Sequence, residues 1–159
     1  MAEVQRESEQ QELSKRVWVL NGPNLNRLGT REPDVYGSTT YEELTAQIIA
    51  EAADLGMAAE VRQTNDEAEL ITWLHQAADE SIPVLLNPAA FTHYSYAIRD
   101  ACAMLTAPLI EVHLSNPMSR EEFRHTSVVA GVATGSVAGF GVDSYRLALR
   151  ALAGLLARP

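Results

Sequence analysis

Residues 108–124 read PLIEVHLSNPMSREEFR, from Pro108 to Arg124, and the reading of the whole chain turns on them. Leu109, Ile110, Val112 and Leu114 form a short apolar run, as expected of a strand covered on both faces. Glu111 and His113 interrupt it two residues apart, so on a strand they share one face. A carboxylate and an imidazole on an otherwise apolar strand are costly unless partnered or solvated. Ser115, Asn116 and Pro117 end the run. Arg120 and Arg124 then follow four apart, and on the short helix expected here they share a side. An acid–imidazole pair beside two cations at a strand end suits a polar, anionic small molecule.

Working outward, the same strand-then-polar-loop pattern recurs. Val17, Trp18, Val19 and Leu20 form a continuous apolar run, followed by the long loop NGPNLNRLGTREPDVYG from Asn21 to Gly37. Loops of this length are often lids or binding loops. Ala58 to Gln63 gives an alternating strand, and Pro83 to Leu86 a buried one that ends at Asn87. A fifth strand is expected near Ala130 to Phe140, broken up by glycines. Between the strands, Leu44, Ile48, Ala52 and Leu55 recur at helical spacing, with Thr40 and Glu43 as a capping box and Gly56 as the stop. Thr64 and Glu67 repeat the capping signal ahead of Leu70, Leu74 and Ala77 or Ala78. Tyr94, Ala97, Ile98, Ala101 and Leu105 mark a third helix, and Tyr145, Leu149, Leu152 and Leu156 the inner face of a fourth.

Strand and helix alternating five times predict an α/β fold: a five-stranded parallel sheet in a flavodoxin-like order, with helices on both faces and right-handed crossovers. Residues 1–15 read as a polar, mobile tail or frayed helix, and 16–157 as one catalytic domain. In such folds ligands sit beyond the carboxyl ends of the strands. The polar clusters at Asn21–Tyr36, Asn87–His93 and Glu111–Arg124 all fall there.

The formal net charge of −9 argues against a nucleic-acid partner. The single cysteine, Cys102, excludes an intrachain disulfide and sits in an apolar helical pattern. No apolar run approaches the roughly 20 residues of a membrane span, and the polar N-terminus has no hydrophobic signal core. A cytoplasmic enzyme or binding protein is therefore expected. The first loop has proline where a dinucleotide fingerprint wants glycine, and no P-loop lysine exists, since Lys15 is the only lysine. The histidines lack metal-ligand spacing, so no metal is expected. His75 reads as a surface residue and His125 as a helix-end residue. His93 reads as either a ligand contact or an ordinary loop residue. For His113 the plain alternative is a buried ring bonded to backbone, and Glu111 favours instead a ring oriented and charged by its neighbour. Arg31, Glu32 and Tyr36 belong to either a lid or a solvated loop.

Taken together, NGPNLNRLGTREPDVYG, NPAAFTHYSYAIRDA, PLIEVHLSNPMSREEFRHTS and ATGSVAGFGVDSYRLAL resemble the type II 3-dehydroquinate dehydratases over residues 16–157. The resemblance implies a cytoplasmic dodecamer of four trimers, without metal or organic cofactor. It also implies conversion of 3-dehydroquinate to 3-dehydroshikimate through an enolate, in the shikimate pathway to the aromatic amino acids. By the same resemblance Tyr36 is the base, His113 the acid, Arg31 the lid arginine, and Asn24 holds the water that stabilises the enolate. Asn87, His93, Asp100, the Leu114–Ser115 backbone and Arg124 are substrate contacts, Asp100 reaching over from a neighbouring subunit, and Arg120 lines the same site. Elimination of water needs a base, an enolate holder and an acid. A free tyrosine, with a pKa of about 10, needs about 4 kcal/mol to be ionised at neutral pH. A guanidinium in a closed lid can supply much of that. Imine catalysis needs a lysine, and Lys15 lies in the leader. The competing reading is a non-catalytic flavodoxin-like module that binds a small carboxylate. A receiver domain would need an acidic pair after strand one and a lysine after the last strand, and has neither.

Overall fold

Val84–Asn87 (β3) is buried at all four residues, because it lies in the middle of five parallel strands and is covered on both faces. This computed structural model describes residues 1–13 and 15–159. Arg16–Asn21 (β1), Ala58–Gln63 (β2), Leu109–His113 (β4) and Gly135–Ala138 (β5) complete the sheet in the order β2-β1-β3-β4-β5, all neighbours parallel. That is the flavodoxin-like order, with strands added to one side of β1 and then, from β3 on, to the other.

The helices divide between the two faces. The leading helix Ala2–Leu13 (α1) and the one-turn Pro33–Tyr36 (α2) lie outside the main layers. Tyr41–Asp54 (α3) and Asp143–Leu156 (α6) pack Leu44, Ile48, Tyr145 and Leu149 against Val17, Val19, Leu85 and Val112. Glu67–Glu80 (α4) and Tyr96–Cys102 (α5) pack Leu70, Leu74, Ile98 and Cys102 against Trp18, Leu20, Leu86 and Leu109. Successive strand residues therefore feed opposite cores, as the two-residue period requires. Among the described residues no helix is long and apolar enough to cross a membrane.

Local signals hold at some boundaries and shift at others. The Thr40–Glu43 capping box is present in both directions, and Gly56 takes φ +78° after α3. The second capping signal resolves differently: Asp66 caps α4 by accepting from Ala68 N–H, while Thr64 Oγ1 accepts from Asp66 N–H. The third helix is shorter than its pattern, because Ala89–His93 winds as a 3₁₀ turn and Ser95 caps at Ile98 N–H. The fifth strand is also short, since Ala130–Val132 forms a 3₁₀ turn before it. Leu156 is exposed where the helix runs past the sheet. The leader, expected as a polar tail or frayed helix, is helical over Ala2–Leu13.

Two features tie the strand ends together beneath the polar loops. Gly22 N–H donates to Asn87 O at 2.8 Å, and a Cβ on Gly22 would lie 2.6 Å from Pro88 O. Behind it, the Tyr145 hydroxyl donates to Asn21 Oδ1 at 2.6 Å and accepts from Asn87 Nδ2 at 2.9 Å. Burial pushes the Tyr145 phenol up, against the bond from Asn87, so it stays neutral and keeps its proton to donate.

Gly22→Ala is expected to destabilise the protein by about 1–3 kcal/mol in urea unfolding, because the clash is with backbone that has little freedom to yield. Tyr145→Phe should cost roughly 1–3 kcal/mol for each buried amide group left unpaired. A Tyr145→Phe protein as stable as the parent would show that the two asparagines find other partners.

Candidate active site

Glu111 sits where β4 runs deepest in the sheet, 2% exposed. Its burial alone would raise its pKa. Hydrogen bonds from His113, Thr92 and Ser127, with the charge of His113, outweigh that and hold the carboxyl below its ordinary value. His113 Nε2 lies 2.5 Å from Glu111 Oε2, as the shared strand face predicts. Thr92 Oγ1 donates to Oε2 at 2.7 Å, and Ser127 Oγ donates to Oε1 at 2.7 Å. With Nε2 held by the carboxylate, Nδ1 is the ring nitrogen left to serve the cavity that His113 lines.

That cavity opens above the carboxyl ends of β1, β3 and β4. Asn24 and Leu25 line it from the first loop, Asn87, Ala89 and His93 from the second, and His113, Leu114 and Ser115 from the third. Arg31 and Tyr36 line it from the far end of the Asn21–Gly37 loop, and Arg120 and Arg124 from the segment after β4. Of the four non-glycine residues with positive φ among the described residues, Asn24 (φ 70°) and Ala89 (φ 49°) line the cavity, and Glu32 (φ 41°) adjoins Arg31. Left-handed backbone at such residues costs free energy, and clusters of it accompany functional sites.

Tyr36 lies between two guanidinium groups. Arg120 Nη1 donates to the Tyr36 hydroxyl oxygen at 2.8 Å and to Ser115 Oγ at 3.2 Å. Arg31 and Arg120 each place their guanidinium carbon 5.2 Å from the Tyr36 ring centre. Arg31 also pairs with Glu32 at 3.5 Å. The cation on the phenol oxygen is therefore Arg120, and Arg31 stacks on the ring. The expectation of one short helix carrying Arg120 and Arg124 is corrected here. Pro117–Ser119 and Glu122–His125 are separate 3₁₀ turns, and Arg120 is extended between them. Both arginines still reach the cavity wall. Arg124 pairs with Glu121 and stacks on Phe123.

His93 Nδ1 contacts Thr126 O at 2.8 Å. Burial pulls its pKa below the ordinary value despite that contact, and the nearby charges of His113 and Arg124 add to the shift. His125 contacts Arg120 O and does not line the cavity, and His75 is exposed on α4. Asp100 is exposed on α5 and is absent from this cavity wall. Sequence reasoning missed Thr92, Ser127 and Tyr145. Thr92 adjoins His93 and Ser127 lies two residues after His125, and that proximity was the one available signal.

The profile described as Dehydroquinase class II matches residues 15–153. The chain is 62% identical over 138 residues to a 3-dehydroquinate dehydratase of Salinispora tropica, covering 87% of this chain and 96% of that protein. It is 59% identical over 137 residues to the 3-dehydroquinate dehydratase of Mycobacterium tuberculosis, covering 86% and 93%. Among solved structures, the type II dehydroquinase of Propionibacterium acnes superposes with a TM-score of 0.87 at 54% identity, over 88% of this chain and 97% of that one. That of Butyrivibrio crossotus gives 0.84 at 42%, over 86% and 96%. Matches of this extent show that the chain belongs to the class II dehydroquinase family.

Proposed function

We propose that this cavity dehydrates 3-dehydroquinate to 3-dehydroshikimate through an enolate, the reaction for which the chain's relatives are named. The observation that carries the assignment of roles is the Arg120-to-Tyr36 contact at 2.8 Å, on a cavity whose other wall is His113 backed by a buried carboxylate. It sets a phenol between cations opposite an imidazole held by an acid.

The steps follow from those positions. Two guanidinium groups lie against Tyr36, and Arg120 donates to its oxygen, where negative charge sits once the proton has left. The phenolate removes a proton from the carbon next to the substrate ketone, leaving an enolate. A water held by Asn24 donates to the enolate oxygen. His113, oriented by its contact with Glu111, gives the Nδ1 proton to the departing hydroxyl, which leaves as water. Arg124, Asn87, His93 and the backbone at Leu114 and Ser115 hold the substrate's carboxylate and hydroxyls. The substrate's negative charge explains why an acidic chain keeps arginines here. No step calls for a metal or an organic cofactor, and none passes through a lysine.

Asp100 acts on the cavity of a second copy in this reading, since it is exposed on α5 and away from its own cavity. The protein then works as a homo-oligomer, a dodecamer of four trimers, in the cytoplasm, without nucleic-acid or membrane partners. Residues 1–15 lie outside the catalytic domain of 16–157.

With 3-dehydroquinate, the purified protein should produce an enone absorbing in the near ultraviolet. Tyr36→Phe and His113→Ala should each lower kcat by about 10²–10⁴ while circular dichroism stays unchanged. Wild-type turnover in Tyr36→Phe would overturn the choice of base, and a borohydride-trapped adduct would point to an imine. Reversible binding of unaltered ligand, with no product, would favour the binding-module reading. Light scattering should give the mass of twelve chains, and a monomer that retains full activity would remove the role given to Asp100.

A further inference from the structure

We infer that the hydroxyls of Thr92 and Ser127 are positioning groups that keep the shared proton of the His113–Glu111 pair on the imidazole rather than on the carboxylate. The inference deepens the dehydratase reading and rests on His113 as its acid.

The donor inventory leaves little choice about where these hydroxyl protons go. A serine hydroxyl has one proton and two lone pairs. Ser127 Oγ accepts from Val129 N–H at 3.2 Å and Ala130 N–H at 3.0 Å, which occupies the lone pairs. Its proton is then directed to Glu111 Oε1 at 2.7 Å. Thr92 Oγ1 lies 2.9 Å from Ser127 Oγ, whose acceptor positions are filled, so its proton goes to Glu111 Oε2 at 2.7 Å. Thr92 is 1% exposed, so no bulk water competes for it. Both hydroxyls also sit on fixed backbone: Val128 N–H donates to Thr92 O at 2.7 Å, joining the two segments that carry them.

The consequence is a question of where one proton resides. The protonated pair has two arrangements. In one the ring is imidazolium and Glu111 is ionised, with Nε2–H donated to Oε2 and Nδ1–H facing the cavity. In the other the Nε2 proton has passed to the carboxyl, which donates it back to a neutral ring. Nδ1 carries hydrogen in both, but only the imidazolium is acidic enough to protonate a departing hydroxyl. Donors on a carboxylate favour its charged form, so Thr92 and Ser127 favour the first arrangement. Removing either leaves the negative charge less satisfied, which raises the proton affinity of the pair and moves the proton toward the carboxyl.

Few other groups around the pair compete with it. His93 faces it from the Ala89–His93 turn and is pushed toward its neutral form by burial. Arg124, from Glu122–His125, lines the same cavity and acts on His93. Cys102 on α5 adds no charge, because burial, with the charge of Glu111, pushes its thiol up to about 12 and keeps it protonated. Arg31, Tyr36 and Arg120 complete the cavity wall.

The test compares wild type with Ser127→Ala and Thr92→Val, and with Ser127→Thr and Thr92→Ser, which restore a hydroxyl. The His113 ring nitrogens are titrated by NMR in the resting protein, and the Glu111 carboxyl is followed by infrared difference against Glu111→Gln. In the hydroxyl-deleted variants the pair's titration should move up by about one pH unit, the value of one hydrogen bond to a charged group. A protonated-carboxyl band absent from wild type should appear, and kcat should fall with KM nearly unchanged. The hydroxyl-restoring variants should return each readout toward wild type. Thr92→Val keeps the side-chain shape and carries the test if Ser127→Ala does not fold. Folded variants that titrate as wild type, without the new band, would overturn the inference. Absence of turnover in wild type would instead strike at the dehydratase reading, because the titration is read without substrate.

Discussion

A carboxylate taken out of water survives only if its oxygens are filled with donors, and Glu111 is the residue on which that demand falls. It is placed there by β4, a strand that must otherwise be apolar. Three groups answer it, and each comes from a different part of the chain: His113 from the same strand, Thr92 from the turn after β3, and Ser127 from the segment before β5. Satisfying one buried charge therefore draws the three polar loops to one point. The residues beside these donors, His93 next to Thr92 and Arg124 three before Ser127, arrive at the cavity as a consequence.

The loop after β1 presents the opposite electrostatic problem. Tyr36 lies against two guanidinium groups in a chain whose net charge is −9. The arginines are kept from clustering unfavourably by local acids, Glu32 for Arg31 and Glu121 for Arg124. Arg120 has no acid on it among the described residues, and donates to Tyr36 and Ser115 instead. Of the three arginines at Tyr36 and Phe123, the one with no carboxylate among the described residues is thus the one aimed at the phenol oxygen.

Beneath both lies a neutral chain of buried polar groups, Asn21–Tyr145–Asn87. It ties the ends of β1 and β3 to the first turns of α6, and it fixes Asn87, whose Oδ1 also accepts from Ala89 N–H. Ala89 holds a left-handed backbone at the cavity edge. That conformation persists because the surrounding hydrogen bonds over-determine it.

Much of this was legible in the order of residues, wherever the physics is local. Apolar runs of strand length, helical spacing and the Thr40–Glu43 box depend on near neighbours, and they placed the sheet, its order and the edge that carries the site. The Glu111–His113 pair was readable for the same reason, since a strand puts residues two apart on one face. Boundaries drifted where a cap had rivals: Asp66 displaced Thr64, because it lies closer to the first free N–H of α4. Arg120 and Arg124 kept their destination but not their helix, since Pro117 and the caps around it break the segment into turns. What the sequence by itself determined is the repertoire and its periodicities: an alternating α/β chain with its acid, imidazole, phenol and arginines at strand ends. Only the tertiary structure decided which hydroxyls fill Glu111, which arginine meets Tyr36 Oη, and that Tyr145 braces Asn87. Those contacts join residues 16 to 124 positions apart. Their partners are chosen by how strands and loops stack, and spacing along the chain carries no record of that choice.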